Sequence, residues 1–270
     1  MSNNWNRFFN AEPKGYLQEH FMTAVGIRRL APGPQSFDIH HQVVQGYKIA
    51  RVDAWDASSH DDVPLDGYWV PQGQSCLIPR VATHSHYVFT ADFSGCAILI
   101  DQVSPNQYRV YHAQGGSSYI YQEYLESTRY PHGLGLAAAM TFGDYAAACD
   151  ACKALCGREQ TRGFAFLKFE SGRWWIYVQG QNGVGMYYRN GQFALTGPQT
   201  ISGGARIPVA DLTREVPRVF ARQDHADLPV PTRRSVYSHT PAAAQLGAYT
   251  PARAKQARIF SRYLPNDERW

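Results

Sequence analysis

The chain has 270 residues, 26 basic and 22 acidic side chains, a net charge of +4 and a pI near 8.8. Hydrophobic residues make up 44 %, enough to bury a core, which excludes disorder throughout. No apolar run reaches the roughly 20 residues of a membrane-spanning helix, and the opening Met1-Ser-Asn-Asn-Trp-Asn-Arg lacks the pattern of a secretory signal peptide.

In chain order, Leu17, Phe21, Ala24 and Val25 fall at helical spacing and predict one amphipathic helix over Tyr16–Leu30, stopped by Pro32-Gly33-Pro34. Gln45–Trp55 alternates like a strand, and Ser58–Asp66 reads as a polar loop. Short strands are then expected at Tyr68–Val70, Tyr87–Thr90, Ala97–Val103 and Tyr108–His112, with a turn at Ser104-Pro105-Asn106. Thr141 and Asp144 predict a capped helix carrying Tyr145, Ala148, Cys149, Cys152, Leu155 and Cys156 on one face. Phe164–Glu170, Arg173–Gln179, Val184–Arg189 and Gln192–Leu195 predict an antiparallel meander, turning at Ser171-Gly172 and Asn190-Gly191. After Gly203-Gly204 the composition becomes Pro- and Arg-rich and reads as loosely ordered, with one helix expected over Pro251–Leu264. We therefore divide the chain into a domain at 1–205 and a basic extension at 206–270. From Arg214 to Trp270 there are ten Arg or Lys against five Asp or Glu, whereas the remainder, with 16 and 17, is close to neutral. Such a tail solubilises a surface, or meets nucleic acid, an anionic membrane or an acidic partner.

Five cysteines in a chain of this length are no disulfide framework, and reduced thiols in a cytosolic setting are expected. The Cys149/Cys152 pair with Cys156 has no second ligand pair nearby and sits late in its helix, so it reads as small core residues. His84 and His86 would share one side of a strand. A metal there would need a third ligand such as Asp92, Asp101 or His112. Cys96 is different. It follows Phe93-Ser94-Gly95 at the start of an apolar strand, where free amide donors can surround a thiol. A hairpin with the five-residue loop Gln102–Asn106 would set Cys96 opposite His112, a candidate base.

Thr90-Ala-Asp-Phe-Ser-Gly-Cys96, with His112 downstream, resembles the active-site signature of the cytotoxic necrotizing factor deamidases and the related Burkholderia lethal factor. Tyr68-Trp69-Val70-Pro71 also resembles a Trp-containing strand ahead of that motif in the lethal-factor branch. The likeness covers residues 68–115, under a fifth of the chain. The Cys–His spacing is longer than in the lethal factor, and the basic tail and Cys-bearing helix have no counterpart. The resemblance implies Cys96 as nucleophile, His112 as base and Thr90 as a third site residue. It implies an α/β fold with a mixed, largely antiparallel sheet flanked by helices. It implies a secreted bacterial effector that works in the host cytoplasm and needs no cofactor and no metal. The expected chemistry is deamidation of a glutamine in a host protein, a Rho-type GTPase or a translation factor, with transglutamination where an amine replaces water. Two rivals are a non-enzymatic module binding nucleic acid or an acidic protein through aromatic strands and the basic tail, and a papain-like protease, for which His112 lies too close to Cys96 in sequence.

Overall fold

The computed structural model describes residues 4–27, 30–56, 63–114, 124, 132–145, 160–183, 186–195, 199–214 and 268–269. The Cys149–Cys156 stripe, the helix expected at Pro251–Leu264 and nearly all of the basic extension lie outside them. The architecture is a mixed, largely antiparallel β-fold with few helices, in the α/β class read from the sequence.

Two short helices open the chain, α1 (Trp5–Ala11) and α2 (Pro13–Glu19). Between them Glu12 accepts from the Gly15 N–H at 3.2 Å, and Pro13 occupies the first helical position, where its missing N–H costs nothing. The single helix expected over Tyr16–Leu30 does not form. The chain leaves the helix at His20 and enters β1 (Phe21–Thr23), which runs parallel to Ile49–Arg51. All three β1 residues are buried, so no solvated helix face exists there. The buried amides of Gln179 and Gln181 also claim the Met22 backbone at 3.0 and 2.7 Å.

Two sheets then pack face to face. Strands β2 (Gly33–Val44), β3 (Tyr47–Ala54), β4 (Leu65–Val70), β6 (Tyr87–Thr90), β10 (Gln160–Glu170), β11 (Arg173–Gly183), β14 (Gln199–Pro208) and β15 (Glu268–Arg269) join β1 in the large sheet, in the order β1-β3-β2-β4-β6-β10-β11-β14-β15. The β1/β3 and β4/β6 pairs are parallel and the others antiparallel. The small sheet is antiparallel, in the order β5-β8-β7-β9, with β5 (Ser75–Pro79), β7 (Ala97–Ser104), β8 (Gln107–Ala113) and β9 (Gly135–Met140). A separate hairpin joins β12 (Met186–Arg189) to β13 (Gln192–Leu195).

Alternation along β10 and β11 shows how the layers are built. Ala165, Leu167, Trp174, Ile176 and Val178 face the small sheet, whereas Phe164, Phe166 and Tyr177 face α1 and α2. Both faces of the large sheet are therefore dry, and its central strands read as continuous apolar runs. The β10–β11 turn carries Ser171 and Gly172 at φ +51° and +80°, the left-handed pair of a type I′ hairpin.

Some expectations change. The strands β2, β5 and β9 were not read from the sequence, and β14 continues through Gly203-Gly204 to Pro208, where loose order was expected. The helix predicted from Thr141 starts as expected at α3 (Phe142–Tyr145). Asp144 accepts the Thr141 N–H at 2.6 Å, a capping-box contact.

Candidate active site

The chain crosses between the sheets twice at one end of the sandwich. Pro71–Gln74 links β4 to β5, and Ala91–Cys96 links β6 to β7. Thr90 ends β6, and its side chain shares the inward face with Val88. His112, near the end of β8, projects into the same space from the opposite sheet.

There Thr90 Oγ1 lies 2.6 Å from His112 Nδ1 and 2.6 Å from the Val70 carbonyl oxygen. A hydroxyl has one proton, and a carbonyl only accepts. Thr90 must therefore donate to Val70 and accept from His112. That fixes the tautomer: Nδ1 carries the proton and Nε2 carries a lone pair. Among the described residues His112 Nε2 is buried without a hydrogen-bond partner, and the residue is only 1 % exposed. Phe93 stacks on the ring at 4.5 Å and 7°, holding its plane. Burial lowers the His112 pKa to about 3, so the imidazole is neutral at pH 7.

Cys96 joins this inward cluster with Ile98 and Ile100. The predicted register needs correction. Ile98, not Cys96, faces His112, and Ala97 faces Ala113. The turn is tight, with Ser104 opposite Gln107, and an extra residue at Val103 makes a bulge. The slip is of two residues, so face is preserved and Cys96 becomes a diagonal neighbour of His112, with a typical separation of about 7–8 Å between such positions. The expected facing pair is replaced by a buried sulfur diagonal to a neutral imidazole.

Local sequence explains the presentation of the thiol. Gly95 has φ +116°, a conformation that residues with a Cβ rarely adopt, and open space surrounds the position a Cβ would take. Glycine is required here for its dihedral, not for room. Tyr145 Oη accepts the Gly95 N–H at 2.8 Å and donates to the Cys96 carbonyl at 2.9 Å, clamping both sides of the Gly95–Cys96 peptide link. The Tyr145 ring in turn lies on Gly163, where a Cβ would come within 2.7 Å of it. Gly163 exchanges two backbone hydrogen bonds with Phe93. From the other crossing, Gln72 donates its side-chain amide to Cys96 Sγ at 3.5 Å. The exposed Gln72 covers Cys96, which is only 4 % exposed.

Thus Thr90, Cys96 and His112 come together, and Phe93, Tyr145, Gln72 and the Val70 carbonyl complete the arrangement. Phe93 and Val70 lie within the quoted motifs, whereas sequence spacing carried no signal for Tyr145 and Gln72, which reach the site through tertiary approach. The other candidates disperse. His84 and His86 lie in the irregular stretch before β6. Asp92 accepts from Thr23 Oγ1 at 2.5 Å and the Ala24 N–H at 2.7 Å, and Asp101 binds His132 at 2.7 Å and the Tyr124 hydroxyl. Among the described residues no three His, Cys, Asp or Glu side chains gather to hold a metal. A cleft of about 300 Å³ lies at the opposite ends of β4 and β6, lined by Arg7, Asp66, His84, His86 and Lys168 among others.

No protein-family model matches the chain, and no curated protein matches it. The chemistry of this site therefore rests on its geometry and on the motif resemblance.

Proposed function

We propose that the chain is a protein-glutamine deamidase of the thiol type, an effector acting on a host GTPase or translation factor. The observation that carries this reading is the His112 imidazole. One nitrogen is fixed by Thr90, and the other is buried without a partner among the described residues, on the face from which Cys96 projects.

The steps follow from these groups. A neutral imidazole lone pair at Nε2 takes the Cys96 proton, and the sulfur attacks the carboxamide carbon of the substrate. The imidazolium so formed is steadied through Nδ1–H by Thr90, whose own proton points to the Val70 carbonyl. Collapse of the tetrahedral adduct passes the Nε2 proton to the departing ammonia and leaves a thioester. Water, deprotonated by Nε2, cleaves the thioester and releases glutamate. Burial keeps the resting imidazole uncharged, so the imidazolium forms only as the proton moves from sulfur to Nε2.

The test is incubation of the wild type and Cys96→Ala with eukaryotic cell lysate, followed by peptide mass mapping. The expected result is a glutamine converted to glutamate by the wild type alone. Identical maps from the two proteins would exclude deamidation. A host amine at high concentration should give the corresponding substituted amide at the same glutamine.

A further inference from the structure

We propose that Gln72 is a catalytic residue: its side-chain amide is the donor that holds the oxyanion formed at Cys96. This rests on the reading of Cys96 as an acyl-accepting nucleophile and names a residue that the motif does not contain.

The oxygen that becomes an oxyanion is bonded to the carbon that the sulfur attacks. A donor within reach of the sulfur is therefore within reach of that oxygen. Gln72 Nε2 sits 3.5 Å from Cys96 Sγ. The backbone donor just before the nucleophile is closed, since the Gly95 N–H is given to Tyr145 Oη at 2.8 Å. Gln72 supplies a side-chain donor on the sulfur instead.

An oxyanion donor also has to be held in place before the reaction, because stabilisation comes from groups that need no reorganisation. Gln72 meets this requirement through its turn. The Gln74 N–H donates to the Pro71 carbonyl at 3.1 Å, and Gly73 has φ +73°, as the third position of a type II turn requires. The turn is fastened to the base itself. The Gly73 N–H donates to the His112 carbonyl at 2.9 Å, and the His112 N–H donates to the Gln74 carbonyl at 3.0 Å. Donor and base thus belong to one braced unit facing the thiol. The unpartnered, buried His112 Nε2 is the independent sign that a reacting group belongs here. When substrate enters, the amide has only to exchange the sulfur for the neighbouring oxygen.

The test uses two small probes on the full chain, with every rate taken as the difference from Cys96→Ala. p-Nitrophenyl acetate acylates a thiol through an oxyanion: the thiol proton passes to His112 Nε2, the S–C bond forms, the C–O bond breaks and p-nitrophenolate leaves. Iodoacetamide alkylates the same sulfur by direct displacement, with loss of iodide and no oxyanion. For Gln72→Ala the acylation burst rate should fall about 100-fold, with the alkylation rate unchanged or raised. Gln72→Glu, which keeps the size and loses the donor, should show the same split. If both rates rise together, Gln72 is only a cover; if neither moves, it is a spectator; if both fall together, it acts on the thiol. Each of these overturns the proposal while leaving the nucleophile reading intact. A wild type with no burst above Cys96→Ala overturns both.

Discussion

Thr90 Oγ1 and His112 Nδ1 are 2.6 Å apart, and their hydrogen bond joins the two sheets where the imidazole lies diagonal to Cys96 in the strand register. Its direction is set by the Val70 carbonyl, which takes the Thr90 proton. Thr90→Val keeps the shape but leaves the His112 Nδ1–H buried without an acceptor. We expect a loss of about 1–3 kcal/mol of stability. If the same loss falls on the transition state, turnover drops roughly 5- to 150-fold. Thr90→Ser should retain both properties. Urea midpoints and Cys96 acylation rates measure the two effects separately.

Tyr145→Phe isolates the clamp on the nucleophile. The ring stays packed, but the Gly95 N–H and the Cys96 carbonyl both lose their partner. A stability loss of about 1–3 kcal/mol is expected from the unmatched groups, together with slower acylation of Cys96. Gly163→Ala attacks the same clamp from behind, since the added methyl meets the Tyr145 ring at 2.7 Å. Overpacking of this kind typically costs about 1–3 kcal/mol. A Gly163→Ala protein as stable as the wild type in urea would show that the ring is not seated as described.

The parts of this site that sequence made legible are those written in local pattern. Alternation and turn residues located β6, β7, β8 and the β10–β11 hairpin. The motif Thr90-Ala-Asp-Phe-Ser-Gly-Cys96 located the thiol. The register of His112 was missed by two residues, because the turn signal at Ser104-Pro105-Asn106 does not fix the loop length and the bulge at Val103 leaves no trace in polarity. Face survived the error, since side-chain direction repeats every two residues. The helix expected at Tyr16–Leu30 failed for a related reason: Leu17, Phe21, Ala24 and Val25 fit an amphipathic helix, but Gln179 and Gln181, far away in sequence, hold Met22 in a strand. Tyr145 was legible as an apolar helix residue, while its hydroxyl, which does the work here, had no visible partner. Gln72 was one polar residue in a turn.

Acid should reveal the buried imidazole in stability. The His112 pKa is lowered from 6.5 to about 3 by burial, so between those values the unfolded chain binds a proton that the folded one refuses. Stability from this group is fully present above pH 6.5 and is lost as pH falls towards 3, with a slope of about 1.4 kcal/mol per pH unit. His20 and His41 are lowered by burial and act in the same direction, whereas Asp92 and Asp101 are raised by burial and act in the opposite one. The His112 share is therefore read as a difference. In urea titrations from pH 7.5 to about 4.5, His112→Gln should lose stability less steeply than the wild type by up to that slope. Parallel curves would mean that the ring is hydrated and titrates normally.

The second described thiol supplies a control for the first. Cys76 is buried in β5, and burial pushes its pKa up to about 11, with Arg109 opposing. At pH 8 its thiolate fraction is on the order of 1 in 1,000, and the thiolate is the reactive form. In the native protein the Cys76 peptide should remain unalkylated by iodoacetamide over times that modify Cys96. Denaturation should bring it to the rate of an ordinary cysteine. His112→Ala removes the proposed base, so it should slow Cys96 alkylation and leave Cys76 unchanged. Should Cys96 label at the same rate with and without the imidazole, the sulfur is activated by some other group and the base assigned to His112 is wrong.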